Sequence, residues 1–136
     1  MTPAGLIAAA REAIGTPFRH QGRSLRGLDC AGLVMFVAAK FDIPYIDAGA
    51  YDRQPSNGLL ESMLDCQPSL ERIDLANIAA GAVLAMRFKR EPQHLGLFTG
   101  DSLIHAYAVV GQVCEHAMTA EWRRRVVRAY RFKGMS

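Results

Sequence analysis

The sequence predicts an α+β fold in which N-terminal helices pack on an antiparallel sheet of five or six strands. Apolar residues recur every three or four positions in the first half, which is the period of a helix, and alternate in short runs after Leu70. Helices first and a series of strands second is typical of this class. The 136 residues, 50% of them hydrophobic, suit one core, so we expect a single domain over residues 1–136.

The first helix is predicted to begin after Thr2 and to end at Gly15. Thr2 can act as N-cap and Pro3 suits the first helical position, while Leu6 and Ile14 mark an apolar face. A polar loop with several glycines follows and leads directly to the second helix.

The second helix begins at Cys30. Asp29 can act as its N-cap, and Leu33 and Val37 recur with helical spacing until about Phe41. Unpaired N–H groups and the positive end of the helix dipole lower the pKa of a thiol placed here, so Cys30 is a candidate nucleophile. A small buried core cysteine is the alternative.

A short third helix and the strands complete the chain. Ser56 can cap the helix that carries Leu59 and Leu64, and a single helical turn is predicted over Thr119–Arg125. The segments with the character of strands are Leu70–Ile73, Ala82–Phe88, His94–Thr99, Leu103–Val109, Gln112–Met118 and Val126–Phe132.

Two histidines are predicted to share one face of a hairpin. A two-residue turn at Gly100–Asp101 sets a register in which Gly96 faces His105. His94 then faces Tyr107, so the two histidines are diagonal neighbours, and the missing side chain of Gly96 leaves room beside His105. A shift of one residue would place the histidines on opposite faces.

A cysteine at a helix start, a histidine to take its proton and a second histidine to orient the first form a triad for nucleophilic catalysis, here Cys30, His94 and His105. Zinc is an alternative, but no second cysteine or carboxylate comes at ligand spacing, so no metal or cofactor is predicted. His20 is suited to substrate contact, whereas His116 is predicted to be an exposed strand residue.

Composition limits the partners. A net charge of +3 is mild, so no nucleic acid is expected. The apolar runs are too short for membrane insertion, and Met1–Ile14 lacks the features of a signal peptide, so synthesis in the cytoplasm is expected. Cys66 and Cys114 are predicted to be free thiols. Trp122–Arg131 has the composition of an interface, which predicts a docking surface apart from the cleft; a solvated terminal turn is the alternative.

Four stretches resemble motifs of the NlpC-type cell-wall cysteine peptidases. Gly15–Gly22 is similar to that family's glycine-proline-tyrosine loop, and Asp29–Val34 to its nucleophile motif. Gln93–Gly100 resembles its histidine strand, and Leu103–Ala106 the strand of its third residue. The likeness covers nearly the whole chain.

The resemblance implies a papain-like core and hydrolysis of a peptide bond in the peptidoglycan stem peptide, near γ-D-glutamyl-diamino acid bonds. It implies Cys30 as the nucleophile, His94 as the general base and acid, and His105 as the orienting residue.

Substrate binding is predicted beside the nucleophile, at Phe18, His20 and Asp29. Phe18 stands where the family commonly has tyrosine, so a hydroxyl that could assist the oxyanion or the substrate is absent. Ala82 replaces the aspartate of a glycine-aspartate pair, which costs a turn hydrogen bond.

A closer likeness concerns His105–Tyr107, Trp122–Arg125 and Ala129–Phe132, which are similar to the phage and gene-transfer-agent branch of the family. It implies phage tail proteins as partners and action from a phage tail on the periplasmic cell wall. A structural tail-assembly protein with weak or no hydrolase activity is the main alternative. An acyltransferase or amidase using the same thioester is another.

Overall fold

A computed structural model of the protein describes residues 1–47, 49, 51, 58–88 and 92–135. Its helices are α1 (Pro3–Arg11), α2 (Cys30–Lys40), α3 (Leu59–Asp65) and α4 (Ala120–Arg125), with a 3-10 turn at Leu75–Asn77. Its strands are β1 (Arg23–Ser24), β2 (Gly27–Leu28), β3 (Leu70–Ile73), β4 (Val83–Arg87), β5 (Pro92–Phe98), β6 (Ser102–Tyr107), β7 (Gln112–Ala117) and β8 (Val126–Phe132). The predicted α+β class is confirmed.

Helix α1 begins as its sequence predicts and ends earlier. The Thr2 hydroxyl accepts a hydrogen bond from the Gly5 N–H at 3.0 Å, and Pro3 is the first helical residue. The helix ends at Arg11, so Ile14 lies beyond it and is exposed rather than on the apolar face. Among the described residues no helix is long and apolar enough to cross a membrane.

Helix α2 is the buried helix of the fold. Its N-cap Asp29 accepts a hydrogen bond from the Gly32 N–H at 2.8 Å, which satisfies one of the free donors of the first turn. Leu33 and Val37 belong to one core cluster with Leu97 of β5, as the periodicity predicts. The first turn of α2 is therefore held in place from both sides, by its cap and by the sheet.

The loop before Cys30 lies directly against α2 because glycine stands at the contact. A Cβ on Gly32 would lie 2.0 Å from the carbonyl oxygen of Gly22, and a Cβ on Gly22 would lie 2.3 Å from the carbonyl oxygen of Gly27. Only residues without a side chain allow this approach. It brings the loop that carries Phe18 and His20 beside the start of α2.

Helix α3 follows the described residue Gly58, which has the left-handed φ of 72° and makes no side-chain cap. Ser56, the predicted cap, lies outside the described residues. Leu60 and Leu64 of this helix are buried in the same core as α1 and α2.

The main sheet has the order β3-β8-β4-β5-β6-β7, and every adjacent pair is antiparallel. The last strand thus returns to the middle of the sheet, between β3 and β4. All six strand bounds lie within two residues of those predicted; β6, for example, ends at Tyr107 and not at Val109.

The hairpin of β5 and β6 has the predicted register. Leu97 pairs with Ile104, and the Thr99 N–H donates to the Ser102 carbonyl at 3.0 Å. The alternation of strand side chains then places both histidines on one face.

That face is not the one that α1, α2 and α3 cover. Leu95, Leu97 and Ile104 belong to the helical core, whereas Phe98 and Leu103 belong to a second, smaller cluster. The histidines of β5 and β6 alternate with the first set, so the helix of Cys30 and the two histidines lie on opposite sides of the sheet and meet at its end.

Candidate active site

A cavity of about 260 Å³ lies where β5 begins and β6 ends. Cys30, at the first position of α2, lines it, and so does His94 of β5. The loop residues Phe18 and His20 contribute to the wall, as the sequence predicts. The structure therefore brings the predicted nucleophile and the predicted base to one cleft.

Cys30 is a neutral thiol in this cleft. Burial, and then the charge of Asp29, raise the pKa of the thiol to about 12, while the backbone N–H groups of Leu95, Ala31 and Cys30 itself act to lower it. The predicted lowering is thus wrong for the substrate-free site, because desolvation of the thiolate outweighs the donors at the helix start.

His94 and His105 contact each other as the hairpin register predicts. His94 Nε2 lies 2.5 Å from His105 Nδ1, and the two rings are 5% and 0% exposed. Burial lowers the pKa of His94 to about 3 and that of His105 to about 2. Both imidazoles are therefore neutral near pH 7, which is the state that can accept a proton.

The thiol and the base share the cavity without being joined. No hydrogen bond of the described residues connects Cys30 Sγ with His94. Since the Nε2 atom of His94 faces His105, its Nδ1 atom is the nitrogen left for a proton from the thiol. Contacts of this kind often tighten only when substrate binds.

His116 is not the exposed strand residue that was predicted. It is half-buried, and its Nε2 atom lies 2.8 Å from His105 Nε2, while its Nδ1 atom lies 2.9 Å from the Ala117 carbonyl oxygen. The contact depends on the pairing of β6 with β7, which places Cys114 opposite His105 and makes His116 the next residue on that face.

Trp122 packs against two of the histidines. Its ring centroid lies 5.1 Å from that of His105 and 5.0 Å from that of His116. Arg125 lies over the indole at 4.4 Å. The turn of α4 therefore folds back onto the sheet, and the docking surface predicted for Trp122–Arg131 stays a prediction.

Asp29 joins the loop before α2 to the start of that helix through hydrogen bonds to its carboxylate. Its Oδ1 atom accepts hydrogen bonds from Gly32 and Arg23, and its Oδ2 atom accepts them from Gln21 and the hydroxyl of Tyr51. Four donors already satisfy this carboxylate, so its observed contacts are structural and its predicted binding of substrate stays a prediction.

Tyr51 is a cleft residue that the sequence did not indicate. It lines the cavity, donates to Asp29 and accepts from Arg23, while its carbonyl oxygen lies 2.8 Å from His20 Nε2. It follows a stretch without regular periodicity, so no pattern pointed to it. His20 thus reaches the cleft with one ring nitrogen already paired.

Gly96 and Ala82 both lie in closely packed surroundings. The space at Gly96 is not open beside His105, because a Cβ there would lie 2.5 Å from Leu103 Cδ1. Ala82 is buried in the smaller apolar cluster, where an aspartate would lose its hydration.

All three cysteines are free, as predicted. Cys66 is exposed, and Cys114 is half-buried with its pKa raised by burial. In the part of the chain that the structure describes, no three histidine, cysteine or carboxylate side chains converge to hold a metal ion.

Comparison with known proteins identifies the family of this chain. The model of the NlpC/P60 family matches residues 15–131. The sequence is 26% identical over 129 residues to the probable peptidoglycan endopeptidase LytE of Bacillus subtilis (strain 168). The matched stretch covers 93% of this chain and 34% of LytE. The chain therefore spans about a third of that relative's length.

Solved structures share the fold. The NlpC/p60 domain of the peptidoglycan hydrolase SagA is 21% identical with a TM-score of 0.64, over 95% of this chain and 97% of that one. An NlpC/P60 family protein from Bacillus cereus ATCC 10987 is 17% identical with a TM-score of 0.70, over 95% and 39%. The peptidoglycan hydrolase RipB from Mycobacterium tuberculosis is 17% identical with a TM-score of 0.67, over 95% and 63%. At these identities the likeness concerns the fold alone.

Proposed function

This chain belongs to the NlpC/P60 family, and we propose that it is a cysteine peptidase that hydrolyses a peptide bond of peptidoglycan. The observation that carries the proposal is the cleft that Cys30, at the start of a helix, lines together with His94, whose ring contacts the buried His105 behind it. This is the set of groups that nucleophilic catalysis by a thiol requires.

The reaction begins from neutral groups. His94 Nδ1 takes the proton of the Cys30 thiol while the sulfur attacks the scissile carbonyl carbon. Proton transfer and attack therefore occur together, and no free thiolate forms beforehand. The raised pKa of Cys30 and the lowered pKa of His94 support this order, because both favour the uncharged pair at rest.

The tetrahedral intermediate collapses when His94 returns that proton to the leaving amine, which leaves a thioester on Cys30. Water then attacks the thioester with His94 as general base, and the acid product and free thiol are released. His105 orients His94 through the contact between Nε2 and Nδ1 in both halves of the reaction.

Backbone N–H groups supply the oxyanion site. Those of Cys30, Ala31 and Leu95 surround the sulfur and favour negative charge there. We propose the N–H of Cys30 as an oxyanion donor, and such a donor is worth roughly 10²- to 10³-fold in rate in comparable sites. It supplies the stabilisation that no tyrosine hydroxyl gives at Phe18.

We propose the stem peptide as the substrate, with cleavage near γ-D-glutamyl-diamino acid bonds. The family membership and the name of LytE, a probable peptidoglycan endopeptidase, support a peptide bond of peptidoglycan, and the resemblance of the nucleophile and histidine motifs suggests its position. The sequence likeness of Trp122–Arg125 and Ala129–Phe132 to phage peptidases supports a role on a phage tail, acting on the periplasmic cell wall after synthesis in the cytoplasm.

Digestion of purified peptidoglycan tests the proposal. Wild-type protein should release soluble fragments whose masses identify the bond that is cut, and Cys30→Ala should release none. Cys66→Ala and Cys114→Ala are matched controls that remove a thiol outside the cavity, and both should retain activity. Activity in Cys30→Ala would overturn the assignment of the nucleophile.

The same experiment separates the alternatives. A structural tail protein would give no fragments in any variant, although it would still bind tail proteins. A transferase would give products only when an amine acceptor is added, since the thioester would then pass to that amine and not to water.

A further inference from the structure

We propose that His116 is a positioning residue which sets the tautomer of His94 through His105. The proposal rests on the function given above, because it explains how the reacting nitrogen of His94 is kept free of a proton. Three imidazoles form a series that ends on a backbone carbonyl: His94, His105, His116 and the oxygen of Ala117.

The carbonyl end determines the direction of the series. The Ala117 oxygen can only accept, so the His116 Nδ1 atom, 2.9 Å away, carries the hydrogen. In the proposed series each imidazole carries one N–H, so the Nε2 atom of His116 is an acceptor. That acceptor lies 2.8 Å from His105 Nε2, which must therefore be the donor.

The same reasoning passes to the reacting ring. With its hydrogen on Nε2, His105 has a free electron pair on Nδ1, which lies 2.5 Å from His94 Nε2. His94 must then donate from Nε2, and its Nδ1 atom carries the lone pair. That is the tautomer that accepts a proton from a thiol.

An orienting imidazole needs such help, whereas a carboxylate does not. A carboxylate can only accept, but His105 can present either a donor or an acceptor to His94. If His105 carried its hydrogen on Nδ1, His94 would have to accept at Nε2 and keep its own hydrogen on Nδ1, where it would block the base. His116 removes this ambiguity.

The surroundings of His94 and His105 exclude water and disfavour a charge on either ring. His105 is fully buried, and the Trp122 ring packs against both His105 and His116. The charge of Arg125, which lies over that indole, opposes an imidazolium at His94. Water therefore has little access to His105 at this contact.

Two substitutions at His116 isolate its role. His116→Phe keeps an aromatic ring against Trp122 but offers His105 no acceptor. His116→Gln can present a carbonyl oxygen to His105 and an amide N–H to the Ala117 oxygen, so it can restore the acceptor without a ring. Thermal unfolding of both variants checks that they fold.

We expect kcat of the Phe variant to fall roughly 10- to 100-fold with little change in KM. A wrong tautomer in a triad costs about 10⁴-fold. The effect should be smaller here because His116 acts on His94 only through His105. The Gln variant should recover most of that loss. Equal losses in the two folded variants would overturn the proposal, since a role in packing alone would not separate them.

Nitrogen-15 NMR of histidine-labelled protein reads the tautomers without any substrate. In wild type the hydrogen should be on Nε2 of His94 and of His105, and on Nδ1 of His116. In His116→Phe, His94 should no longer carry its hydrogen on Nε2 alone. A hydrogen on Nδ1 of His94 in wild type would overturn the proposal even in an active enzyme. Wild type with the expected tautomers but no activity would overturn only the proposed function.

Discussion

Lowering the pH from 7 to 5 should destabilise this protein through its two buried histidines. Burial holds the pKa of His94 at about 3 and that of His105 at about 2, against an ordinary value of 6.5. At pH 5 the unfolded chain therefore binds protons at both positions and the folded protein binds none. Stability rises with pH wherever the unfolded state holds more protons, so it must fall on acidification below 6.5.

The size of the loss in stability follows from the difference between the ordinary histidine pKa and the pH. At pH 5 that distance is about 1.5 units, which corresponds to roughly 2 kcal/mol for each histidine and about 4 kcal/mol for His94 and His105 together. The figure hardly depends on how low the folded pKa is, provided that it lies below about 4. With a urea m-value of about 2 kcal/mol/M, the unfolding midpoint should fall by roughly 2 M.

Urea unfolding at pH 7 and pH 5 measures this loss, with the double variant of His94→Gln and His105→Gln for comparison. At pH 7 both histidines are neutral in either state, so the variant shows there only what the lost packing costs. Between pH 7 and 5 its stability should fall about 4 kcal/mol less than that of wild type. An equal fall in the two proteins would refute the argument that these rings are buried uncharged.

Three further changes should have effects of known direction. Gly32→Ala should destabilise by about 1–3 kcal/mol in urea unfolding, since the new Cβ would meet a carbonyl oxygen 2.0 Å away; a neutral result would mean that the loop is not held against α2. Tyr45→Phe should be neutral or stabilising by about 1 kcal/mol in the same assay, because the buried hydroxyl has no partner among the described residues, and a clear loss would reveal one. Burial and then the charge of Arg125 lower the pKa of His94, so Arg125→Gln should move the acid limb of the kcat/KM profile to higher pH, while Arg124→Gln, at an exposed position, should leave it in place. An identical shift in both arginine variants would mean that the effect is not local.

Much of the local structure could be predicted because it depends on neighbours in sequence. A cap at Asp29 and helical spacing after it were enough to place Cys30 at the start of α2. A two-residue turn was enough to bring His94 and His105 together, because a hairpin has a period of two and its turn sets the register. The roles of these residues and the single domain over residues 1–136 stay predictions.

Other features depend on how distant segments pack. The contact of His105 Nε2 with His116 depends on the pairing of β6 with β7. The position of Trp122 against His105 depends on the folding of α4 back over the sheet. Tyr51 reaches the cleft through contacts with Asp29, which lies 22 positions away in the chain. No periodicity carries such information.

The groups that can react, a thiol at a helix start and two imidazoles on one face of a hairpin, follow from local sequence, since helix caps and hairpin registers are local. Their charge depends on the packed molecule. Whether the dipole at the start of α2 or the loss of water controls the pKa of Cys30 depends on how many side chains close around the sulfur, and desolvation prevails. Burial is a property of the packed molecule, because residues from every part of the chain contribute to it.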